Sequence, residues 1–392
     1  MPRIRPNVRR LCCLAICFIL IQVYILKPTQ LRKSSPLDLT LASTTFKRLS
    51  EGHSTVTAPN DHAGQHEANL VIADVIDRLH AMTKPDKSGS YLLIEDLLTS
   101  QELTSQGKPD ITLATQCTSH HLHYVAELSK QWEGPLSVAV FTYDDDFHFA
   151  IASMLYLHLC VASVAEHVTF HLAFPTERRP DMSIKLPLIH NLCSNPPAAG
   201  HISPKNFVIG SGIEYPVNLL RSLAVSRAST THVFCSDIDM TPSQNLCSGF
   251  VRLIATTNTL SQTSTKLAYV VPVFEYSGSR GTIPLKKSAL LEKWRRHEIR
   301  PFYHNTCSHC QSATDYSRWR ALPLDDKMAM AYRVHYHPNY EPFYIAHQSS
   351  LPLYDERFKQ WGRDRQSQIS LGDGLPLLLK KNEQLLEVAV GA

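Results

Sequence analysis

Apolar and polar positions follow three different regimes along this chain. Residues 11–26 form an almost unbroken apolar run, interrupted only by Gln22, with Arg3, Arg5, Arg9 and Arg10 before it and Lys27-Pro28 after it. A bilayer crossing needs about 20 apolar residues, about 17 at the low end, and thin early-secretory membranes tolerate short spans. A cleaved signal peptide is the competing reading, but no A-x-A-like cleavage site follows the run. The pattern therefore predicts an uncleaved signal anchor at 11–26. Arginines are retained on the cytosolic side, so 1–10 reads as a cytosolic tail and everything beyond Lys27 as lumenal.

Residues 27–115 are polar and rich in Ser, Thr, His and charge, the composition of a stem between an anchor and a folded domain. Two stretches inside it, 70–76 and Tyr91–Leu98, carry apolar residues at near-helical spacing. Beyond 116 the pattern becomes regular. Helical periodicity over 120–132 ends at Glu133-Gly134-Pro135, and an apolar strand-like run follows at Leu136–Phe141. The spacing then predicts a buried helix over 149–165, a strand over 168–174, a helix over 216–227, and strands over 231–235 and 266–274. Strands alternating with helices predict an α/β fold, a parallel sheet covered on both faces. In such sheets ligands bind beyond the carboxyl ends of strands.

Composition narrows this little. The chain has 392 residues, 43% of them hydrophobic, enough to bury a sizeable core, and a net charge of only +4. No concentrated basic stripe is present, which argues against a nucleic-acid partner. Of ten cysteines, Cys12, Cys13 and Cys17 lie in or beside the apolar run. The other seven are Cys117, Cys160, Cys193, Cys235, Cys247, Cys307 and Cys310, an odd number that leaves at least one thiol unpaired. Cys307-Ser-His-Cys310, with His304 nearby, has the spacing of half a zinc site. No second pair follows at a suitable distance, so a loop disulfide or unpaired thiols are the better readings.

The candidate chemistry lies in Asp237-Ile238-Asp239, at the end of the strand over 231–235. On extended backbone the two carboxylates project to the same side. Paired hard carboxylates suit a divalent cation that keeps diphosphate oxygens and water as its other ligands. A bare D-x-D arises by chance about once per chain of this length, and Asp144-Asp145-Asp146 contains another. The competing reading is a solvated turn. What singles out Asp237 and Asp239 is their place after a strand and before Met240-Thr241-Pro242-Ser243.

Tyr215-Pro-Val-Asn-Leu-Leu-Arg221-Ser-Leu-Ala224, followed by Phe234-Cys-Ser-Asp237-Ile-Asp239-Met-Thr-Pro-Ser243, closely resembles the glycosyltransferase 49 family. That family includes β-1,4-glucuronyltransferases and the second catalytic domain of LARGE-type enzymes. Leu136–Phe141, Val270-Val-Pro-Val-Phe-Glu275, Asp315-Tyr-Ser-Arg-Trp319, Tyr340-Glu-Pro-Phe-Tyr344 and Tyr354-Asp-Glu-Arg-Phe358 extend the resemblance, in order, over about 116–369. It implies a GT-A fold, with a single catalytic domain at 116–369 behind the anchor and the stem at 27–115. It further implies type II Golgi topology, Mn²⁺, a UDP-sugar donor, a glycan acceptor on a glycoprotein and inversion at the anomeric carbon. The implied reaction is transfer of glucuronate from UDP-glucuronate, β-1,4 to xylose. N-acetylglucosaminyl transfer to galactose ends, and a non-catalytic partner of other glycosyltransferases, stay open beside it.

Carried over residue by residue, the resemblance makes Asp237 and Asp239 the metal and donor pair. It puts Arg221 beside the aspartates or the diphosphate, against a reading as a surface or capping arginine. Glu275 would touch acceptor hydroxyls, or is an ordinary loop carboxylate. Asp364, in Gln360-Trp-Gly-Arg-Asp364-Arg365, is the candidate base for the acceptor hydroxyl proton, although family glucuronyltransferases have Asn there. Arg280, Lys286 and Arg318 are candidates to meet a donor carboxylate. Relatives continue into a strand and a metal-binding His, whereas no His follows His347 here. Residues 370–392 therefore read as a divergent tail, with His335, His337 or water replacing that ligand and weaker activity expected.

Overall fold

Apolar runs buried on both sides fix the centre of the fold. The computed structural model describes residues 62–101, 111–183, 192–197, 213–256, 267–276, 282–324, 327–335, 339–360, Arg365, Gln368 and 386–390. The anchor at 11–26, Arg280, His337 and Asp364 lie outside the described residues. No helix among those described is long and apolar enough to cross a membrane.

Four strands run parallel at the core: β3 (Ile111–Thr118), β4 (Leu136–Phe141), β5 (Val168–Pro175) and β6 (His232–Cys235), side by side as β5-β4-β3-β6. Beyond β5 come β2 (Tyr91–Leu98) and β1 (Lys84–Pro85), both antiparallel to their neighbours. Beyond β6 lies β11 (Phe343–His347), antiparallel to β6 and to β7 (Ala268–Val271). Then follow β12 (Leu386–Val390), parallel to β7, and β10 (Ala329–Val334). A separate hairpin-like pair is made by β8 (Phe274–Tyr276) and β9 (Ile299–Pro301). The main sheet is therefore mixed, not purely parallel as the strand–helix alternation predicts.

Alternation along the strands divides the core between two faces. Leu113, Val138, Val140, Phe170 and Leu172 point to one face. There they meet the helices α1 (His62–Ala81), α2 (Val125–Trp132) and α3 (Phe147–Cys160). The other face presents Ala114, Ala139 and Ala173 to Val217, Leu220, Leu223 and Ala224 of α5 (Val217–Ser226), where α4 denotes the short Ala162–His167 helix. Small residues on the sheet let α5 lie close. That proximity delivers Arg221 to the strand ends. The remaining helices among the described residues are α6 (Leu246–Thr256), α7 (Lys287–Arg295) and α8 (Tyr316–Ala321).

Several expectations need correction. Tyr91–Leu98 is a strand, not a helix. A register irregularity between Ile94 and Leu98, with Asp96 at φ 51°, shifts the side-chain phase. Ile94, Leu97 and Leu98 then all reach the core at the three- and four-residue spacing that imitates a helix. The fold also begins before 116: α1 buries Ile72, Val75 and Leu79 in the same cluster as Ile94. The helical run over 149–165 breaks at Val161, whose backbone is extended, and the strand over 266–274 breaks around Pro272 into β7 and β8. The tail at 370–392 contributes β12 to the sheet.

Among the described residues two disulfides form, Cys160–Cys193 and Cys307–Cys310, while Cys117, Cys235 and Cys247 are buried and not disulfide-bonded. Cys307, His309 and Cys310 cluster closely enough for a metal, but sulfurs bonded to each other have no thiolate to offer. The disulfide reading holds over the zinc reading.

Candidate active site

The site is assembled where β6 ends. After Cys235 and Ser236 the chain turns, and the Met240 amide closes the turn by donating to the Asp237 carbonyl at 3.1 Å. The D-x-D segment is thus a turn rather than extended backbone. Ile238 is buried in the core on one side. Asp237 is half-buried and Asp239 exposed. Anchoring the middle residue is what holds the two flanking carboxylates at the carboxyl edge of the sheet.

Two arginines, Arg221 buried and Arg365 largely so, grip the first of them. Arg221 donates from Nη2 to Asp237 Oδ1 at 3.1 Å, and Arg365 donates from Nη2 to the same oxygen at 2.7 Å. Each guanidinium has its own support. Arg221 Nη1 reaches Asn218 Oδ1 at 3.4 Å, and its guanidinium lies 5.6 Å from the Tyr354 ring centre. Arg365 lies 4.1 Å over the Phe343 ring and reaches the Cys235 carbonyl at 3.5 Å. Flat apolar rings beneath the cations limit their rotamers and exclude water. Burial pushes the Asp237 carboxyl toward neutrality, but Arg365 and Arg221 outweigh it and hold its pKa below the usual value. Asp239 moves the other way: desolvation and the Asp237 charge raise its pKa.

Both oxygens of a carboxylate can accept. The arginines take Oδ1 of Asp237, and Oδ2 has no hydrogen bond among the described residues. Asp239 makes no ion pair among them. Two hard oxygen donors of like charge, held together at an open edge, fit a divalent cation whose arrival would relieve their repulsion. No third protein ligand gathers there among the described residues. His335 follows β10 at the end of the sheet away from Asp237, and His347 pairs with His232 at the start of β6. Neither replaces the expected family histidine, and His337 lies outside the described residues.

The other sequence candidates are dispersed. Glu275 is ion-paired with Arg300 across the β8–β9 ladder at 2.5 Å. Lys286 precedes α7, and Arg318 stacks 4.3 Å over the Tyr332 ring. Neither contacts Asp237. The base candidate Asp364 lies outside the described residues, although its neighbour Arg365 reaches the site. Arg365 itself is what sequence reasoning missed. Its only signal was a basic residue in an otherwise mixed Trp-Gly-Arg-Asp-Arg segment, with no periodicity to show it buried.

The remaining segments of the resemblance are mostly scaffolding. The Asp355 carbonyl accepts from Asn218 at 3.0 Å, while its carboxylate binds Arg357 at 2.6 Å. Asp315 caps α8 through the Arg318 amide, and Tyr316 donates to the Val273 carbonyl at 2.8 Å. Together they brace the helix carrying Arg221 and the turn between β7 and β8.

Residues 110–371 match the family described as "Glycosyl-transferase for dystroglycan". The chain belongs to that family. This glycosyltransferase is 34% identical to β-1,4-glucuronyltransferase 1 of Danio rerio over 301 residues, which cover 72% of this chain and 68% of the relative. Against the Homo sapiens protein of the same name identity is 34% over 294 residues, 72% of this chain and 67% of the relative. A more distant match, 26% over 264 residues, is to the xylosyl- and glucuronyltransferase LARGE2s of Gallus gallus. It covers 66% of this chain and 29% of that larger protein. The aspartates and Arg221 all fall within the matched region, so the gripped carboxylate belongs to the glycosyltransferase domain.

Proposed function

We propose that this glycosyltransferase has a GT-A fold and transfers glucuronate from UDP-glucuronate, with inversion, to a xylose-ended glycan on a glycoprotein, forming a β-1,4 linkage. The observation that carries the reading is Asp237, fixed through one oxygen by two arginines and leaving the other oxygen beside Asp239 for a cation. Relatives named as glucuronyltransferases supply the sugar. Asp237 and Asp239 would hold Mn²⁺. When bound, that ion would neutralise charge developing on the departing diphosphate.

The chain's own residues do the rest. Arg221 and Arg365 fix the Asp237 rotamer, so little reorganisation is left for the moment of reaction. Two guanidiniums balance the two carboxylates, so the net positive charge that suits an anionic donor would come from the bound cation. Asp364 is the proposed base that takes the acceptor hydroxyl proton. The two disulfides suit an oxidising compartment, consistent with a lumenal domain held at the Golgi membrane by the anchor at 11–26.

The test is a donor panel with the purified full chain and xylose-ended acceptors, with Mn²⁺ and with chelator. Transfer from UDP-glucuronate at least tenfold above UDP-N-acetylglucosamine, abolished by chelator, is the expected result. Equal turnover in chelator would overturn the metal assignment, and preference for another donor would overturn the sugar.

A further inference from the structure

Of the two disulfides, one has the features of a structural staple and the other of a reversible pair. We propose that Cys307–Cys310 is a thiol-exchange site, with Cys307 as the sulfur that accepts an incoming small thiol such as glutathione.

Three observations point there. First, the two sulfurs are unequally reachable. Cys307 is partly exposed, between exposed Thr306 and Ser308, whereas Cys310 is buried at 6% exposure. An external thiolate therefore meets Cys307, and Cys310 is the leaving sulfur. Second, the His309 ring Nε2 lies 3.4 Å from Cys307 Sγ. In the opened state this imidazole can stabilise the Cys307 thiolate, as a neighbouring His does for reactive cysteines. Third, the local backbone does not depend on the sulfur bridge. The Cys307 amide donates to Tyr303 at 2.8 Å, the Cys310 amide to Cys307 at 2.9 Å, and the Glu341 amide to Cys310 at 3.0 Å. These bonds keep the two cysteines adjacent when the bridge opens, so closure is fast and reversible.

The fold also tolerates opening. Cys307 and Cys310 are 3 residues apart, Cys160 and Cys193 33 apart. Loop closure scales with the three-halves power of loop length, so losing the short bridge disfavours folding less than losing the long one, by a factor on the order of thirty.

The chemistry balances without a cofactor. A thiolate attacks Cys307 Sγ, forming a mixed disulfide as the Cys307–Cys310 bond breaks and Cys310 leaves as a thiolate that takes a proton from solvent. A second thiolate attacks the small-thiol sulfur of the mixed disulfide and releases the Cys307 thiolate beside His309. Two small thiols are oxidised to one disulfide, and the protein disulfide is reduced to two thiols.

The experiment equilibrates the purified full chain, in detergent, with graded reduced and oxidised glutathione, then alkylates free thiols and maps the peptides. Cys307 and Cys310 should become alkylated at glutathione ratios at least tenfold less reducing than Cys160 and Cys193, with thermal unfolding little changed. In Cys310→Ser a glutathione adduct should accumulate on Cys307, at least tenfold more than on Cys310 in Cys307→Ser. His309→Ala should move the wild-type midpoint severalfold toward more reducing buffer. A pair that opens only together with Cys160–Cys193, or adducts of equal yield on either cysteine, would overturn the proposal.

Discussion

Two D-x-D segments follow parallel strands that flank β3 on either side, yet their carboxylates are held in opposite ways. At the end of β4, Asp146 is 1% exposed and fully engaged. Oδ1 accepts from Thr142 Oγ1 at 2.9 Å and from the Tyr143 amide at 2.8 Å, and Oδ2 accepts from Ser119 Oγ at 2.8 Å. Asp144 is tied to Arg178 at 2.9 Å. At the end of β6, Asp237 is held through one oxygen only, by two cations rather than by neutral donors, and Asp239 faces outward. The first segment spends its acceptors on the turn itself; the second keeps some free. The partners of the carboxylates, not the spacing of the aspartates, separate a structural turn from the proposed cation site.

The largest expected effects test that separation at β6. Asp239→Asn should lower transfer by about a hundredfold or more, about 3 kcal/mol in the barrier, with unfolding temperature unchanged or raised, because desolvation and the Asp237 charge already disfavour its ionised form. Asp237→Asn should lose as much activity and also destabilise the fold by about 3 kcal/mol, since buried Arg221 and largely buried Arg365 lose their counter-charge. Rates across an Mn²⁺ titration, alongside thermal unfolding, separate the two variants. An Asp239→Asn protein that keeps full turnover would mean that β6 carries a turn like the one on β4.

At β4 the expected outcome is reversed. Asp146→Ala should cost about 3 kcal/mol of stability, because two hydroxyls and an amide lose a buried charged acceptor. Activity per folded molecule, and its dependence on Mn²⁺, should stay within about twofold of wild type at low temperature. A weakened response to Mn²⁺ with intact stability would place the cation at β4 instead.

Much of this was legible in the sequence, for identifiable reasons. β4, β5 and α5 announce themselves because burial on defined faces leaves a clean apolar pattern. β2 does not, because the irregularity at Asp96 gives a strand helical spacing. A position directly after a strand does not separate Asp237 from Asp146, because it is shared: β4 ends at Phe141, three residues before Asp144; the Met240-Thr241-Pro242-Ser243 that follows and the family resemblance do. Arg221 could be suspected from its helix, but its burial depends on the small alanines of the facing sheet. Arg365 reaches Asp237 across 128 positions of sequence, and no local pattern encodes such a contact.

A control in the body of the sheet separates acid sensitivity of the scaffold from that of the carboxylates. His171 on β5 is fully buried, accepts at Nδ1 from the Asp96 amide at 2.9 Å and meets Ser137 Oγ through Nε2 at 2.9 Å. Ser137 donates onward to the Ala224 carbonyl, so Nε2 carries the proton of the neutral ring. Burial, only partly opposed by Asp96, lowers its pKa to about 4. Between the unfolded value near 6.5 and that folded value, the unfolded chain binds a proton that the folded one does not, so stability falls with falling pH. The expected loss is about 2 kcal/mol between pH 7 and pH 5. Urea titrations at the two pH values should show it, and His171→Gln should flatten it. An unflattened profile would assign the acid response to other groups.

The smallest effect is expected at Glu275, where the same question of engaged against available oxygens recurs on the β8–β9 pair. Its Oε1 meets Arg300 Nε at 2.5 Å, with side-chain exposures of 25% and 37%. An ion pair that open to solvent contributes about 0–1 kcal/mol, so Glu275→Gln should shift stability by less than about 1 kcal/mol. The acceptor reading predicts something different, because a sugar hydroxyl held by this carboxylate would lose a charge-assisted hydrogen bond. With the carboxylate already turned to Arg300, we expect acceptor KM to change by less than about threefold, with kcat unchanged. Arg300→Gln sharpens the test. Releasing the carboxylate without removing it should leave KM unchanged if Glu275 serves the hairpin, and should alter it if the freed oxygen reaches acceptor. A tenfold rise in acceptor KM for Glu275→Gln, at unchanged stability, would put this residue with Asp237 among carboxylates that keep an oxygen for ligand.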